Sequence, residues 1–301
     1  MGKTIFSASF IDNFLIKYKI MDYQNCNICK SQLIYYTDIQ GEISNKRIHI
    51  LQCSNCKMLF SKVPSNKIDD STFSHNTFNG YIDSKEYSLK RVNKLLTYLE
   101  SSYINKKKQS ILLDIGCGAG WSLVAAESMD YECYGVEPMV EASKYANDKL
   151  NLNVINSKYN SNLIKKHADI IILDQVVEHV SSPLDFLEDV AKVLRPGGIF
   201  FIAVPPNDWL RRMLSLSIQV PLKVMTAIHN KYSSFFKKLI EIDLYKVPEG
   251  HINVFTEKSM KLIAKNLNLE YCSQYHSSKL RSLFNKIFRL SSGSYILKKG
   301  L

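Results

Sequence analysis

The chain of 301 residues carries 39 Lys plus Arg against 28 Asp plus Glu, a formal net charge of +11, with 46% hydrophobic and 22% charged residues. That composition excludes disordered, collagen-like and low-complexity classes and leaves enough chain to bury a sizeable core. The basic excess fits nucleic acid, an anionic membrane face or an acidic substrate, and its sum alone identifies none of them.

In chain order, residues 1–21 lack an early basic region, a clean apolar run and a small-residue cleavage site, so they read as a disordered leader and not a signal peptide. Nowhere does an uninterrupted apolar run reach the ~18 residues that suggest a spanning helix, and the cytoplasm is the default compartment. Residues 22–64 hold two pairs, Cys26-x2-Cys29 and Cys53-x2-Cys56, with β-rich stretches (LIYY, RIHIL) between them. Each pair makes a knuckle that aims two thiolates at one point, and two knuckles supply the four tetrahedral ligands of Zn2+. A full four-Cys set leaves no open coordination position, so this zinc-ribbon-like module predicts a structural metal that contributes to folding. Cys117, Cys133 and Cys272 fall outside the set and read as small core or turn residues. Residues 65–109 are polar and aromatic, with a helix pattern at SLKRVNKLLTYLESSYI.

From residue 110 strands and helices alternate: SILLDIG, a helix from about 120, YECYGVE, a helix from about 139, LNVIN, ADIIILD, a helix from about 183, and GGIFFIAVP. Apolar runs of this length separated by helix patterns indicate a mostly parallel sheet buried on both faces, a doubly wound α/β domain. A partly apolar, basic stretch over 208–247 interrupts the alternation. It resumes with the helix TEKSMKLIAKNL, the strand LEYCSQY, a basic amphipathic helix over 279–290 and the strand SYILK. Residues 110–207 and 248–301 therefore form one domain, and 208–247 an insertion on its acceptor side.

The segment Leu112-Leu-Asp-Ile-Gly-Cys-Gly-Ala-Gly120 places glycines 116, 118 and 120 directly after an apolar strand. Glycine permits positive φ and close approach of a ligand to the backbone, so the turn can floor a crevice at the strand ends. The G-x-G-x-G spacing lacks the later third glycine of the dinucleotide fingerprint, which favours a nucleotide without a pyrophosphate. Asp114 can orient the turn or accept from a ligand ammonium. Glu137, at the end of the second strand, can hold both hydroxyls of a ribose, and Pro138 with Met139 offers an apolar face for a base.

These segments together resemble class I S-adenosylmethionine-dependent methyltransferases. LLDIGCGAG resembles their first motif, GVEP the acidic end of their second strand, ADIIILDQVVEHV their fourth strand and loop, and VLRPGGIFFIAVP their fifth segment. The resemblance implies a Rossmann-like, seven-stranded sheet and S-adenosylmethionine as cofactor. By the same resemblance Gly116, Cys117 and Gly118 line the methionine moiety and Glu137 the ribose, with Asp174 and Gln175 beside the donor. Asn156 and its neighbours would lie near the adenine, where an acidic residue is often found.

The loop Asp174-Gln-Val-Val-Glu178-His179 falls where a donor methyl would point. Methyl transfer from a sulfonium is an in-line displacement, so acceptor positioning dominates, and a base is needed for a hydroxyl or carbon acid. His179 is the candidate base, because its ordinary pKa suits the role, with Glu178 as an electrostatic or orienting helper. Glu-His here resembles the small-molecule subgroup acting on quinone precursors and sugars, and Gln175 stands where some relatives carry an acidic metal ligand. The cysteine module, the words Gln52-Cys-x2-Cys-x3-Phe60 and Gly250-His251-Ile-Asn-Val-Phe resemble sugar C-methyltransferases of surface-polysaccharide pathways. His251 is a second candidate for the acceptor pocket, and Tyr81 and Tyr87 are candidates to close over the donor.

Three functions compete: methylation of a small acceptor such as a sugar nucleotide or glycan, an RNA methyltransferase gripping RNA through its zinc module, and a non-catalytic donor-binding scaffold. Residues 1–207 hold 23 basic and 22 acidic side chains and residues 208–301 hold 16 and 6, so nearly all the excess charge lies at the carboxyl-terminal end. That distribution argues against a broadly basic RNA-gripping ribbon and favours an anionic acceptor or an anionic lipid surface. The insertion over 208–247 reads as a lid, with a dimer surface or a monotopic contact with a lipid-linked substrate as the other readings.

Overall fold

The apolar runs of the second half become one sheet. The computed structural model describes residues 25–41, 47–62, 75–104, 110–205, 246–247, 252–276 and 293–301. The leader over 1–21, the insertion up to residue 245, His251 and the helix expected over 279–290 lie outside them. Strands β4 (Ile111–Ile115), β5 (Glu132–Val136), β6 (Val154–Ile155), β7 (Ala168–Asp174), β8 (Leu194–Ala203), β11 (Leu269–Gln274) and β12 (Ser294–Lys299) line up in the order β11-β12-β8-β7-β4-β5-β6. Strands β6, β5, β4, β7 and β8 are parallel, and β12 runs antiparallel between β8 and β11. The expected mostly parallel, seven-stranded, Rossmann-like sheet is therefore present.

Alternate residues of each strand enter opposite cores, as a strand's two-residue period requires. Leu112, Ile170, Ile172, Phe201 and Ile296 pack on one face against helices α2 (Lys85–Ser102), α3 (Trp121–Glu127) and α4 (Val140–Leu150). In α2 the buried residues are Val92, Leu95, Leu96 and Leu99, the i, i+3, i+4, i+7 stripe that lays one helix face on a sheet. Leu113, Ile171, Phe200 and Leu297 enter the other core, with α5 (Pro183–Lys192) and α6 (Glu257–Asn266). A shorter helix, α1 (His75–Asp83), precedes α2.

The cysteine pairs sit on a second sheet, in the order β10-β3-β2-β1-β9. Strands β1 (Leu33–Gly41), β2 (Arg47–Cys53) and β3 (Leu59–Lys62) form an antiparallel meander, as the β-rich stretches between the pairs suggest. Its two outer strands, β9 (Lys246–Val247) and β10 (Asn253–Val254), come from far along the chain. Cys26, Cys53, Cys56 and Met58 share one core with Leu113, Phe200 and Phe255, so the module is packed into the α/β domain. No helix among the described residues is long and apolar enough to cross a membrane.

Candidate active site and cysteine centre

Neighbouring strands β4 and β7 start connections that run to opposite sides of the sheet, through β5 to β6 and through β8. Their carboxyl ends therefore open a crevice at a topological switch point, where open α/β sheets bind ligands. The glycine turn leaves β4 there with Gly116, Gly118 and Gly120 at φ +76°, +53° and +87°. A Cβ on Gly116 would stand 2.6 Å from Val176 Cγ2, and one on Gly118 would stand 3.3 Å from the Tyr81 ring. The first contact brings the loop after β7 against the turn. Gly116→Ala is expected to weaken S-adenosylhomocysteine binding at least about tenfold, from left-handed strain of roughly 1–2 kcal/mol plus the Val176 clash. Calorimetric titration checks this, and unchanged affinity would refute it.

Glu137 is buried, and its carboxylate organises the turn from across the crevice. One oxygen accepts from the Gly118 N–H at 2.8 Å and the other from the Met139 N–H at 2.8 Å. Burial raises its pKa, and the Met139 and Gly118 N–H groups oppose that rise. Each oxygen retains acceptor capacity beyond its one backbone donor. Pro138 is exposed, and Met139 is buried at the start of α4. The Asn156 amide donates to the carbonyls of Glu137 at 2.9 Å and Pro138 at 3.1 Å, so it braces the acidic turn.

Asp114 is buried under the turn and accepts from the Ser122 hydroxyl. Burial pushes its carboxyl up to about 7, the Ser122 bond lowers it, the Glu137 charge raises it and Arg91 lowers it. One Asp114 oxygen and one Asp174 oxygen are buried with no hydrogen-bond partner among the described residues. Unsatisfied buried acceptors at the ends of β4 and β7 fit a ligand that brings donors, such as an ammonium. Cys117 is buried in the turn, and burial drives its thiol up.

Sequence reasoning missed Arg91. From α2 it pairs with Asp174 at the end of β7, a contact between segments 83 residues apart that has no local signature. Tyr81 lies against Gly118, and its carbonyl accepts from Trp121 Nε1 at 2.8 Å. Burial, then the charges of Glu137 and Cys117, raise its phenol to about 12. Phe78 and Trp121 both meet Tyr145 edge-on, at 5.9 and 6.0 Å, which holds α1 to the helices of the turn. Tyr87 is 68% exposed.

Beyond β7, Gln175 is exposed with φ +57°, and its N–H donates to the Ala203 carbonyl at 2.8 Å. A short 3-10 turn, Val177–His179, carries the candidate catalytic pair. Glu178 is fully buried, and neither carboxylate oxygen has a partner among the described residues. Burial pushes it up to about 8. Burial thus favours its neutral form at neutral pH. His179, one residue on, is half-buried.

The four cysteines come together. All four sulfurs lie within 4.8 Å of one another, with Cys26 and Cys56 at 3.7 Å and Cys29 and Cys53 at 3.3 Å. Both knuckles turn through a left-handed lysine, Lys30 at φ +59° and Lys57 at φ +62°, whose N–H groups return to the carbonyls of Cys26 and Cys53. The Sγ contact with Cys56 lowers Cys26 to about 5 and raises Cys56.

The family model for a methyltransferase domain matches residues 83–274, more than half of the chain. A ubiquinone biosynthesis O-methyltransferase of Bradyrhizobium sp. (strain ORS 278) is 28% identical over 140 residues, 40% of this chain and 54% of that one. The chain thus spans about half the length of that curated relative. The protein of the same name from Vibrio cholerae serotype O1 (strain M66-2) is 26% identical over 200 residues, 58% of this chain and 78% of that one. Among solved structures, the plantazolicin methyltransferase BpumL in complex with SAH aligns over 77% of this chain and 93% of its own, with a TM-score of 0.52 and 18% identity. At that identity the likeness is one of fold. The family match begins just ahead of α2 and ends with β11, so it takes in the whole crevice, and the chain belongs to the methyltransferase-domain family.

Proposed function

We propose that this protein methylates a hydroxyl of a small anionic acceptor, a sugar nucleotide or glycan precursor of a surface-polysaccharide pathway, using S-adenosylmethionine. The observation that carries the reading is the seating of the loop after β7 on the glycine turn through Val176 and Gly116. That contact supports reading the loop that carries the candidate base His179 as part of the crevice. The O-methyltransferase names of the relatives support a hydroxyl acceptor. The basic excess over 208–301 supports an anionic one.

The donor, when bound, supplies an electrophilic methyl group on a sulfonium. The backbone of Gly116, Cys117, Gly118 and Gly120 would receive its amino-acid portion, with the free Asp114 oxygen and Asp174 as acceptors for its ammonium. Glu137 would hold the ribose hydroxyls, Pro138 and Met139 the base, and Gln175 the rim. A His179 ring nitrogen takes the proton from the acceptor hydroxyl, with Glu178 as its electrostatic or orienting helper. Most of the acceleration comes from holding the acceptor in line.

The same reading gives Cys26, Cys29, Cys53 and Cys56 a structural Zn2+. Tetrahedral coordination at a Zn–S distance of about 2.3 Å sets sulfurs about 3.8 Å apart. The separations of 3.3 and 3.7 Å inside a 4.8 Å cluster support that fit.

The test is methyl transfer from labelled S-adenosylmethionine to nucleotide sugars, phenolic quinone precursors and structured RNA. Transfer to the small acceptors is expected, and transfer to RNA alone would overturn the reading. His179→Ala is expected to cut turnover about 100-fold or more, the low end for general-base loss, with donor affinity within about twofold. Unchanged turnover would remove His179 as the base.

A further inference from the structure

One three-residue segment joins the cysteine module to the loop that carries Glu178 and His179. On one side, Asn253 and Val254 pair with Phe60 and Leu59 of β3, and the Ile252 carbonyl accepts from the Ser61 N–H at 2.9 Å. On the other, the Ile252 N–H donates to the Glu178 carbonyl at 2.9 Å. The Asn253 side-chain amide donates to the Val180 carbonyl at 2.6 Å and the Val177 carbonyl at 3.4 Å. Ile252 thus spends its carbonyl on the module and its N–H on the loop. Asn253, buried at 3% exposure, stands opposite Phe60 of the module and turns its side-chain amide to the loop.

The segment has little freedom to shift without breaking one set of bonds. Immediately after it, Phe255 is fully buried in the core that holds Cys26, Cys53 and Cys56. Thr256 caps α6 by accepting from the Ser259 N–H at 3.0 Å, and its hydroxyl donates to the Cys56 carbonyl at 2.7 Å. From the far end of α6, the Asn266 amide donates to the Ile28 carbonyl in the first knuckle at 2.9 Å. Both knuckles are therefore tied to the helix that follows the segment. The 3-10 turn has poor internal hydrogen bonding: the Val177 carbonyl accepts from the Val180 N–H only at 3.4 Å, and the carbonyls of Glu178 and Val180 take donors from residues 252 and 253.

We propose that the cysteine module is a positioning element for the acceptor-side loop, acting through residues 252–254, with Asn253 as the positioning residue. The proposal rests on the reading of Val176–His179 as the acceptor loop. Its mechanical part stands apart from the identity of the base. The module holds β10, β10 holds the 3-10 turn, and the turn sets the backbone that carries Glu178 and His179. Donor binding is built mainly on the glycine turn and Glu137, which this path meets only where Val176 lies against Gly116.

The experiment is hydrogen exchange by mass spectrometry on the full chain, alongside calorimetric titration of S-adenosylhomocysteine. Asn253→Ala is expected to speed exchange over residues 176–181 at least tenfold, with exchange over 111–127 unchanged and S-adenosylhomocysteine affinity within twofold. Asn253→Gln, which restores an amide donor, should recover part of the protection. Ser61→Pro cuts the bond to Ile252 from the module side without touching a cysteine, and should speed exchange over the same residues. Unchanged protection over 176–181 in either Asn253→Ala or Ser61→Pro would overturn the proposal. Loss of donor affinity as large as the loss of loop protection would also overturn it. In the transfer assay, Asn253→Ala should lower kcat/KM for the acceptor at least tenfold. If His179→Ala leaves turnover unchanged, the base assignment fails while the exchange result still decides the coupling.

Discussion

Replacing Cys56 by serine is expected to cost at least about 3 kcal/mol of stability and to lower the melting temperature by roughly 10 °C, with loss of bound zinc. The size follows from where the centre sits. Cys26, Cys53 and Cys56 are fully buried and share a core with Leu113 of β4, Phe200 of β8 and Phe255. An exposed ribbon could unravel by itself. Here the second knuckle also receives the Thr256 hydroxyl on the Cys56 carbonyl, so disorder in the knuckle removes a bond at the start of α6. Thermal melts with and without exhaustive dialysis against a chelator, paired with metal analysis, check the expectation. A wild-type protein without stoichiometric metal, whose melt the chelator does not move, would sink the zinc assignment.

The stability of the wild-type protein should fall as pH rises from 5 towards 8, and Glu178→Gln should flatten that slope. In the unfolded chain the Glu178 carboxyl titrates near 4.5, whereas in the fold burial raises it to about 8. Between these values the folded protein keeps a proton that the unfolded chain releases. The contribution is therefore complete below about pH 4.5 and is lost as pH climbs through 8, at up to about 1.4 kcal/mol per pH unit. Asp114, raised to about 7 mainly by burial, contributes in the same direction. It is present in both proteins, so the difference between their melting curves isolates Glu178. Parallel curves for wild type and Glu178→Gln from pH 5 to 8.5 would refute the expectation and point to a charged, paired Glu178.

Much of the crevice is legible in the chain because its signals are local. A strand buried on both faces needs an unbroken apolar run, a turn with positive φ needs glycine, and a C-x2-C knuckle needs two cysteines three positions apart. Glycines 116, 118 and 120, Glu137 and the cysteine pairs can be picked out on those grounds. The residues that brace them carry no such mark. Arg91 looks like one of several basic residues on an amphipathic helix, yet it pairs with Asp174. Asn156 stands where the family often carries an acidic residue, and it braces Glu137 and Pro138 through their carbonyls.

The alternation of strands and helices, the glycine turn with its acidic partner and the paired cysteines are readable along the chain, because each depends on residues close together in it. The antiparallel insertion of β12 between β8 and β11, and the completion of the cysteine sheet by residues 246–247 and 253–254, emerge only in the folded chain. So does the burial of Glu178 without a partner among the described residues. Two-residue strands have too short a period to read, and the worth of a carboxylate depends on its surroundings. The net positive charge belongs mainly to the last third of the chain, whereas the crevice is lined by a few buried acids whose protonation the fold favours.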